Sequence, residues 1–308
     1  MAGLTAAGLI AAEGHVVTVL DKGRRPGGRM ATKELRGGAH ADHGAQFFTV
    51  RTEPFSAVVE QWVADGTVHE WCRGFSSEDG HPRFAVANGM AELAAHMSVG
   101  LDVRPSVHVD AVRSAGDQWA VTWPATPHGA AGLIEAAVVV LTPPAPQAAA
   151  LVASEVTIPE LTYEPMLSLL VALGDSPSVP SPGGVQLDDD PTWSWIGDNV
   201  AKGASDLPAV TLHTRADVAA SRWDEDNEAL TVDLLRAAEP WVRDAEVIDV
   251  RLHRWRYATP LEPQPEPCLV RAGGRLVFAG DAFGGPRTEG AFLSGVAAAD
   301  AVVNGNLR

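Results

Sequence analysis

The stretch that decides the fold is GLTAAGLIAAEGHVVTVLD, residues 3–21. It opens with small and apolar residues, which predict a tightly packed helix that ends at Gly14. The run VVTVL at residues 16–20 is rich in β-branched side chains and predicts a strand with Asp21 at its carboxyl end. Polar residues interrupt the apolar run and no basic segment precedes it, so we expect a buried helix and strand rather than a secretory leader.

A helix followed by such a strand is typical of the second half of a dinucleotide-binding βαβ unit. In the pattern G-x-G-x-x-G the third glycine allows close helix–sheet packing, and an acidic residue about 20 positions later binds the ribose hydroxyls. Gly3 and Asp21 fit these two roles, although a plain packing helix is the alternative for half a motif. The first strand and two glycines would lie before Met1. We expect the sequence to start at an internal methionine, the alternative being a chain without the pyrophosphate turn.

A second glycine cluster, DKGRRPGGRM at residues 21–30, follows the acidic strand end directly. Backbone N–H groups at Gly27 and Gly28 can approach a phosphate, because glycine allows unusual backbone angles and close contact. The cluster is strongly basic and predicts a phosphate site, with an ordinary solvated turn as the alternative. Its basic residues are Lys22, Arg24, Arg25 and Arg29.

The composition limits the function classes. The 308 residues are 46% hydrophobic and 20% charged, which predicts a folded chain with room for two domains. The net charge of −16 argues against general nucleic-acid binding and against a polybasic membrane anchor, and no apolar run is long enough to span a membrane. Two cysteines and ten histidines without metal-ligand spacing predict no disulfide framework and no metal site, and a cytoplasmic location is expected.

Taken together, the motifs resemble the renalase-like branch of the flavin amine oxidase superfamily, and they bracket nearly the whole chain. Besides the two glycine clusters, the matching segments are DHGAQFF at residues 42–48, WRYA at 255–258, LVFAGD at 276–281 and EGAFLSG at 289–295. The resemblance implies non-covalent FAD as the cofactor. It also implies an α/β fold, in which a Rossmann-type FAD-binding domain with a parallel sheet and a β-meander carries a second α+β substrate domain of mixed or antiparallel sheet and helices.

We assign residues 1–50, 85–150 and 268–308 to the FAD-binding domain, and residues 51–84 and 151–267 to the substrate domain. The alternating stretches at 101–112, 118–123 and 136–141 predict the strands of the meander. The polar-faced segment 224–242 predicts a helix.

The resemblance also implies which residues hold FAD. Asp21 would bind the adenosine ribose, and Val109 would supply backbone contacts to the adenine. Pro143 would lie near the cofactor, the alternative being a loop that only caps the sheet. The residues implied around the ribose and pyrophosphate are Gly3, Lys22, Arg24, Gly27, Gly28, Arg29 and Met30. Those implied beside the isoalloxazine are Gly44, Ala45, Gln46 and Phe47.

The C-terminal motifs supply the remaining implied contacts. Gly280 and Asp281 would bind the ribityl or phosphate region. Glu289, Gly290 and Ala291 would open the last helix with its N-terminus toward the flavin, where the helix dipole can stabilise negative charge on the reduced ring.

Aromatic residues are the candidates for substrate contact, because a flat ring stacks well on another flat ring. Trp255 and Tyr257 are the leading candidates, and Trp193 and Trp195, predicted to share one face of a strand, are weaker ones. A core role is the alternative for each. Three histidines could face the same site, with a structural role as the alternative: His43, His213 and His253.

The function implied is an FAD-dependent oxidase. It would transfer hydride from a small ring substrate, a dihydronicotinamide isomer of NAD(P)H, to flavin N5 and then pass the electrons to O2. No catalytic side chain is identified, because such a flavin reaction needs orientation and exclusion of water more than an acid or base. One alternative is an amine oxidase acting on a small amine or polyamine, which the presence of only two tyrosines disfavours. Another is a non-catalytic protein that has lost FAD.

Overall fold

The computed structural model describes residues 1–75, 80–127 and 129–305, which form a mixed α/β protein. The described part contains eight α-helices and two short 3-10 turns, Gly28–Met30 and Ala272–Gly274. The helices are α1 (Ala2–Ala12), α2 (Glu53–Ala64), α3 (Met90–Met97), α4 (Ala145–Leu151), α5 (Ala216–Ser221), α6 (Asn227–Ala237), α7 (Glu239–Val242) and α8 (Arg287–Gly305).

The strands include both short parallel elements and long antiparallel ones. They are β1 (Thr18–Leu20), β2 (Thr32–Glu34), β3 (His40–Asp42), β4 (Val68–Cys72), β5 (Arg83–Val86), β6 (Asp102–Arg104), β7 (Ala111–Ala115), β8 (Gln118–Trp123), β9 (Gly132–Ala136), β10 (Val139–Leu141), β11 (Tyr163–Leu173), β12 (Gly184–Gln186), β13 (Trp193–Asp198), β14 (Ala209–Thr214), β15 (Val247–Pro260), β16 (Leu269–Arg271) and β17 (Leu276–Phe278).

The chain divides into two compact units. The first comprises Met1–Gly27, Ala94–Thr162 and the described residues from Pro260 onward, and the second comprises Gly28–Leu93 and Tyr163–Thr259. The segment 1–50 that we assigned to one domain is thus shared between the two units. The assignment of cofactor and substrate roles to separate domains stays a prediction.

The first unit contains the parallel strands. β1 pairs with β6, and β10 pairs with β17, which also pairs with the antiparallel β16. Helix α1 packs against α8 over a core of small and branched residues that includes Ala6, Ile10, Val277, Ala298 and Val302. The predicted helix and strand at the start of the sequence are therefore α1 and β1.

Two predictions in the first unit need correction. The expected strand at 101–112 is interrupted after β6, because Pro105 has no N–H to donate and Ser106 adopts a positive φ of 61°. The expected strand at 136–141 is two strands: Ala136 ends β9 in the antiparallel meander β7-β8-β9, whereas β10 joins the parallel pair with β17. Residues 136–141 are all apolar, and they include no glycine, proline or polar residue that would indicate where one strand ends and the next begins.

The second unit is built on a five-stranded sheet of order β12-β13-β14-β11-β15. Residues alternate along β11, as a strand requires. Leu167 and Leu169 join the core beneath α6, while Leu170 packs with Leu35 and Ala41 of the β2–β3 hairpin on the other face. The sheet is therefore covered on both faces, and the hairpin side carries the DHGAQFF segment.

The helix predicted at 224–242 is two helices, α6 and α7. Pro240 lies in the first turn of α7 and cannot donate the hydrogen bond that would continue α6. Asp226 begins α6 by accepting hydrogen bonds from the N–H groups of Glu228 and Ala229. Among the residues that the structure describes, no helix has the length and apolarity needed to cross a membrane.

Candidate functional site

Gly3 lies where α1 approaches the end of β10. A Cβ atom on Gly3 would be 2.8 Å from Oγ1 of Thr142, the residue between β10 and Pro143. That distance is shorter than van der Waals contact allows, so a side chain at this position would require Thr142 to move. The predicted close approach of helix and sheet is present at Gly3, with Pro143 one residue beyond the contact.

The loop after β1 is joined to the loop after β6 within the first unit. The Asp21 N–H donates to the Arg104 carbonyl at 3.1 Å, and the Asp21 carbonyl accepts from the Val107 N–H at 2.9 Å. Oδ1 of Asp21 accepts from the Gly23 N–H at 2.7 Å, which fixes the carboxylate at the strand end. Val109 follows in irregular backbone, and no hydrogen bond is assigned to it within the described residues.

The predicted basic cluster is exposed. Lys22, Arg24 and Arg25 all face solvent, and among the described residues none of them has a carboxylate within ion-pair distance. Gly27 and Gly28 follow with φ values of 135° and 54°, which favour glycine. This segment therefore offers cations without ion-pair partners, followed by two glycines in backbone conformations that favour glycine, and that combination suits the binding of an anion.

Arg29 and Gly44 belong to the second unit and lie in direct backbone contact. The Arg29 carbonyl accepts from the Ala45 N–H at 2.8 Å, and a Cβ atom on Gly44 would overlap with that same carbonyl. The Arg29 guanidinium donates through Nη1 to the carbonyls of Tyr257 and Ala258 at 3.2 and 3.0 Å. Met30 is buried beside it. Any pyrophosphate contact by Arg29 would have to coexist with this attachment to β15.

In the turn at residues 42–47, the backbone carbonyls of the first three residues all accept hydrogen bonds from side chains. The Asp42 carbonyl accepts from Gln46 Nε2 at 2.7 Å and from Thr211 Oγ1 at 2.9 Å. The Gly44 carbonyl accepts from Gln46 Nε2 at 3.2 Å, and the His43 carbonyl accepts from Trp255 Nε1 at 2.6 Å. The shape of this turn is therefore set by side chains on both sides of it.

The backbone donors of the turn are not all used. Within the part of the chain that the structure describes, no acceptor is assigned to the N–H groups of Gly44, Gln46 or Phe47. Backbone N–H groups that are removed from water nearly always have a partner, so a ligand that covers this turn with acceptor atoms along one edge would fit here. The carbonyl oxygens and ring nitrogens of an isoalloxazine are such acceptors.

A buried lysine supports the turn, and sequence reasoning did not identify it. Lys202 is fully buried, and its Nζ lies 3.0 Å from Asp42 Oδ2 and 2.8 Å from Gln46 Oε1. The other Asp42 oxygen accepts from Thr32 Oγ1 and from the Met90 N–H. Burial lowers the pKa of the Lys202 ammonium, and the neighbouring Asp42 carboxylate opposes that shift.

Three rings form a second cluster next to the turn: His43, His253 and Trp255. The His43 ring stacks on Trp255 with a centroid distance of 5.2 Å, and His253 lies 4.5 Å from His43 and 4.2 Å from Trp255. Burial, with smaller contributions from His253 and Lys33, lowers the pKa of His43 to about 3. Both nearby imidazoles are held in the neutral state, since burial lowers the pKa of His253 as well.

His213 is buried on the other side of the same turn. Its Nε2 lies 3.4 Å from Gln46 Nε2, and burial together with the Lys202 charge lowers its pKa to about 3. All three histidines considered from the sequence thus contact or flank residues 42–47. They supply neutral rings rather than charge.

Side chains alternate along β15 and divide the WRYA motif between two faces. Trp255 faces the His43 turn, and Tyr257 contacts Tyr163 edge to face at 5.5 Å. Arg256 points the other way and covers the Trp223 ring at 4.8 Å. Of these two leading candidates, Trp255 is therefore the one that the structure brings to the turn.

The prediction that Trp193 and Trp195 share one face is wrong. A bulge between them shifts the register of β13, which turns the two indoles to opposite sides. Trp193 is 1% exposed, donates to the Ala237 carbonyl and belongs to the core beneath α6, so it has no surface for a substrate. Trp195 instead contacts Phe47 at 5.4 Å in an aromatic cluster.

The C-terminal motifs fold closely together in the first unit. Gly280 follows β17, and its N–H donates to Ser294 Oγ at 2.8 Å. Asp281 is buried. Gly290 lies in the first turns of α8 beside Glu289 and Ala291, and a Cβ atom on it would overlap with the Gly285 carbonyl. The segment 280–290 is thus a tight loop that leads directly into a helix N-terminus.

Comparison with known proteins identifies the fold. Residues 1–62 match the model of the NAD(P)-binding Rossmann-like domain. A protein assigned as a protoporphyrinogen oxidase from Exiguobacterium sp. 255-15 aligns with a TM-score of 0.69 at 13% identity, over 98% of this chain and 96% of that one. Putrescine oxidase bound to putrescine aligns with a TM-score of 0.65 at 14% identity, over 98% and 97%. An oxidoreductase from Methanosarcina mazei aligns with a TM-score of 0.64 at 12% identity, over 96% and 97%.

These similarities confirm the predicted fold class. Residues 1–62 match a Rossmann-like nucleotide-binding domain within a mixed α/β protein, and nearly the whole chain shares its fold with the protein assigned as a protoporphyrinogen oxidase and with putrescine oxidase. At this level of identity the likeness concerns the fold and not the substrate.

Proposed function

We propose that this protein is an FAD-dependent oxidoreductase. The observation that carries the proposal is the turn at residues 42–47, where Gly44 is crowded against the Arg29 carbonyl and the N–H groups of Gln46 and Phe47 lack acceptors among the described residues. Such a turn is shaped for a flat ligand with hydrogen-bond acceptors along its edge. The fold shared with an oxidoreductase and with putrescine oxidase supports a flavin as that ligand.

The residues that would hold FAD fall into two sets. Those in the first unit are Gly3, Asp21, Lys22, Arg24, Gly27, Val109, Pro143, Gly280, Asp281, Glu289, Gly290 and Ala291. Those in the second unit are Gly28, Arg29, Met30, Gly44, Ala45, Gln46 and Phe47. The exposed cations near Gly27 would bind phosphate, and the 42–47 turn would bind the ring.

When bound, FAD supplies hydride acceptance at N5 and electron transfer to O2. The chain's own residues orient the substrate and exclude water. Trp255 presents an indole fixed by its hydrogen bond to the His43 carbonyl, and His43 and His253 beside it are uncharged. A flat ring substrate can stack on such a wall.

We extend the proposal to the substrate class implied by the renalase-like motifs. The substrates would be dihydronicotinamide isomers of NAD(P)H, reduced at ring positions other than that of the ordinary coenzyme, with hydrogen peroxide formed from O2. The low tyrosine content favours this class over small amines.

The test is anaerobic mixing of the FAD-loaded protein with candidate reductants while the visible flavin absorption is followed. The isomers should bleach the flavin quickly, and admission of O2 should restore the colour and form peroxide. Bleaching by putrescine and not by the isomers would replace the substrate class with amines. If neither bleaches a flavin that dithionite reduces, the oxidase proposal is wrong for both classes.

A further inference from the structure

Lys202 belongs to a residue type that is rare in this sequence. Lysine occurs only at positions 22, 33 and 202, which leaves arginine as 20 of the 23 basic residues. Among the lysines and arginines that the structure describes, Lys202 is nevertheless the one that is completely buried. An ammonium is a compact donor, whereas a guanidinium is a wide planar fork, so the two are not interchangeable in a closed site.

The contacts of Lys202 determine how the Gln46 amide is oriented. Nζ of Lys202 can only donate, so the atom 2.8 Å away must be the Gln46 oxygen and not its nitrogen. The Gln46 Nε2 group is then directed to the carbonyls of Asp42 and Gly44 at 2.7 and 3.2 Å. The contact with Lys202 therefore sets the orientation in which the Gln46 amide donates hydrogen bonds to the carbonyls of the turn.

The loop that carries Lys202 is itself strongly ordered by hydrogen bonds. Asp198 Oδ1 accepts from the N–H groups of Val200 and Ala201 at 2.8 and 3.2 Å. The buried Asn199 accepts from the Asp42 N–H at 3.2 Å and donates to Thr211 Oγ1 at 3.0 Å. The 198–205 loop thus holds the start of the turn through Asn199 and its centre through Lys202.

We infer that Lys202 is a positioning residue of the cofactor-binding turn: its contacts with Asp42 and Gln46 fix the direction of the backbone N–H groups at residues 44–47. This inference rests on the proposed FAD-dependent function. It adds a residue outside the recognised motifs, 156 positions from the glutamine that it orients. Loss of the ammonium frees the Gln46 amide to rotate and leaves Asp42 charged and buried without its cation.

The test compares three variants of the full chain: K202M, the double variant K202M/D42N and S205A. K202M removes the ammonium. The double variant also removes the unpaired carboxylate while keeping an Oδ1 acceptor for Thr32 and Met90, so it stays informative if K202M does not fold. S205A is the matched control, because Ser205 lies in the same loop but bonds the His40 N–H and the Leu207 carbonyl instead of the turn.

The measurements are the dissociation constant of FAD, the visible circular dichroism of bound FAD and its reduction midpoint potential. The double variant should bind FAD about tenfold more weakly or worse, with altered dichroism and potential, since a charged hydrogen bond is lost. S205A should keep the wild-type dichroism and potential. Equal affinity, dichroism and potential in the double variant and S205A would overturn the role of Lys202. Failure of the wild type to bind FAD would instead reject the proposed function itself.

Discussion

At the residue scale, Gly44 makes the sharpest prediction. We expect G44A to weaken FAD binding by at least about tenfold, because the added methyl group overlaps with the Arg29 carbonyl and must push the turn away from it. Fluorescence titration with FAD measures the effect. G8A is the control, since a Cβ at Gly8 meets nothing within 4 Å and favours the helix. Wild-type affinity in G44A would show that the turn does not contact the cofactor.

The buried histidines predict that acid destabilises the second unit. His43 and His213 have pKa values of about 3 in the fold against an ordinary 6.5, so the unfolded chain binds more protons between these pH values. Their stabilising effect is complete above pH 6.5 and is lost as the pH falls toward 3. Each contributes a slope of up to about 1.4 kcal/mol per pH unit in that window.

Urea unfolding at a series of pH values tests this prediction. H213N should show a shallower loss of stability below pH 6.5 than the wild type, because the residue that must be protonated on unfolding is gone. H108N, which changes an exposed imidazole, is the control. Parallel curves for H213N and the wild type would contradict the assignment of His213 as a neutral buried base.

Sequence could identify the turn residues but not what supports them. Gly44 to Phe47 form part of a local motif whose spacing is visible in the sequence. Lys202 is far from them along the chain, and the residues that flank it in the sequence do not indicate that its side chain is buried. The bias of this sequence toward arginine was the available signal, because an isolated lysine in such a background suggests a site that a guanidinium does not fit.

At the scale of elements, the α1–α8 contact depends on a missing side chain at Gly295. A Cβ atom there would lie 2.5 Å from the Ala2 carbonyl and 2.8 Å from Thr5 Cβ. We expect G295A to lower the free energy of unfolding by about 1–3 kcal/mol through overpacking. Urea denaturation measures the loss. G305A, at an open position at the end of α8, should change little, and equal stability of the two variants would refute close packing of these helices.

Helices and strands were predictable where the apolar periodicity and the residues that end such elements indicated the same bounds. The opening helix and strand, which are α1 and β1, and the strand predicted at 118–123, which is β8, follow their apolar patterns. The predictions failed where one irregular residue changed the path of the chain, as at Pro240 between α6 and α7 and at the bulge in β13. The bulge also places Trp193 and Trp195 in different environments, because an extra residue moves every following side chain to the other face.

At the scale of the whole molecule, the first 21 residues and the C-terminal motifs were sufficient for the fold class, and the Rossmann-like match over residues 1–62 agrees. The division into units was harder to predict. The segment 28–50 belongs to the second unit, because its Arg36 and His40 N–H groups donate to Asp249 of β15 and to Ser205 of the 198–205 loop. These are contacts between distant parts of the sequence. Long-range pairing of this kind leaves no periodic signal.

The most direct measurement is the flavin content of the purified chain. The protein, after dialysis with FAD and removal of the excess, should show the visible bands of an oxidised flavin and release FAD on denaturation at one per chain. G44A prepared in parallel should retain much less. A wild-type protein that stays colourless and binds no added FAD would contradict an FAD-dependent function and leave the glycine-rich turns as structural features alone.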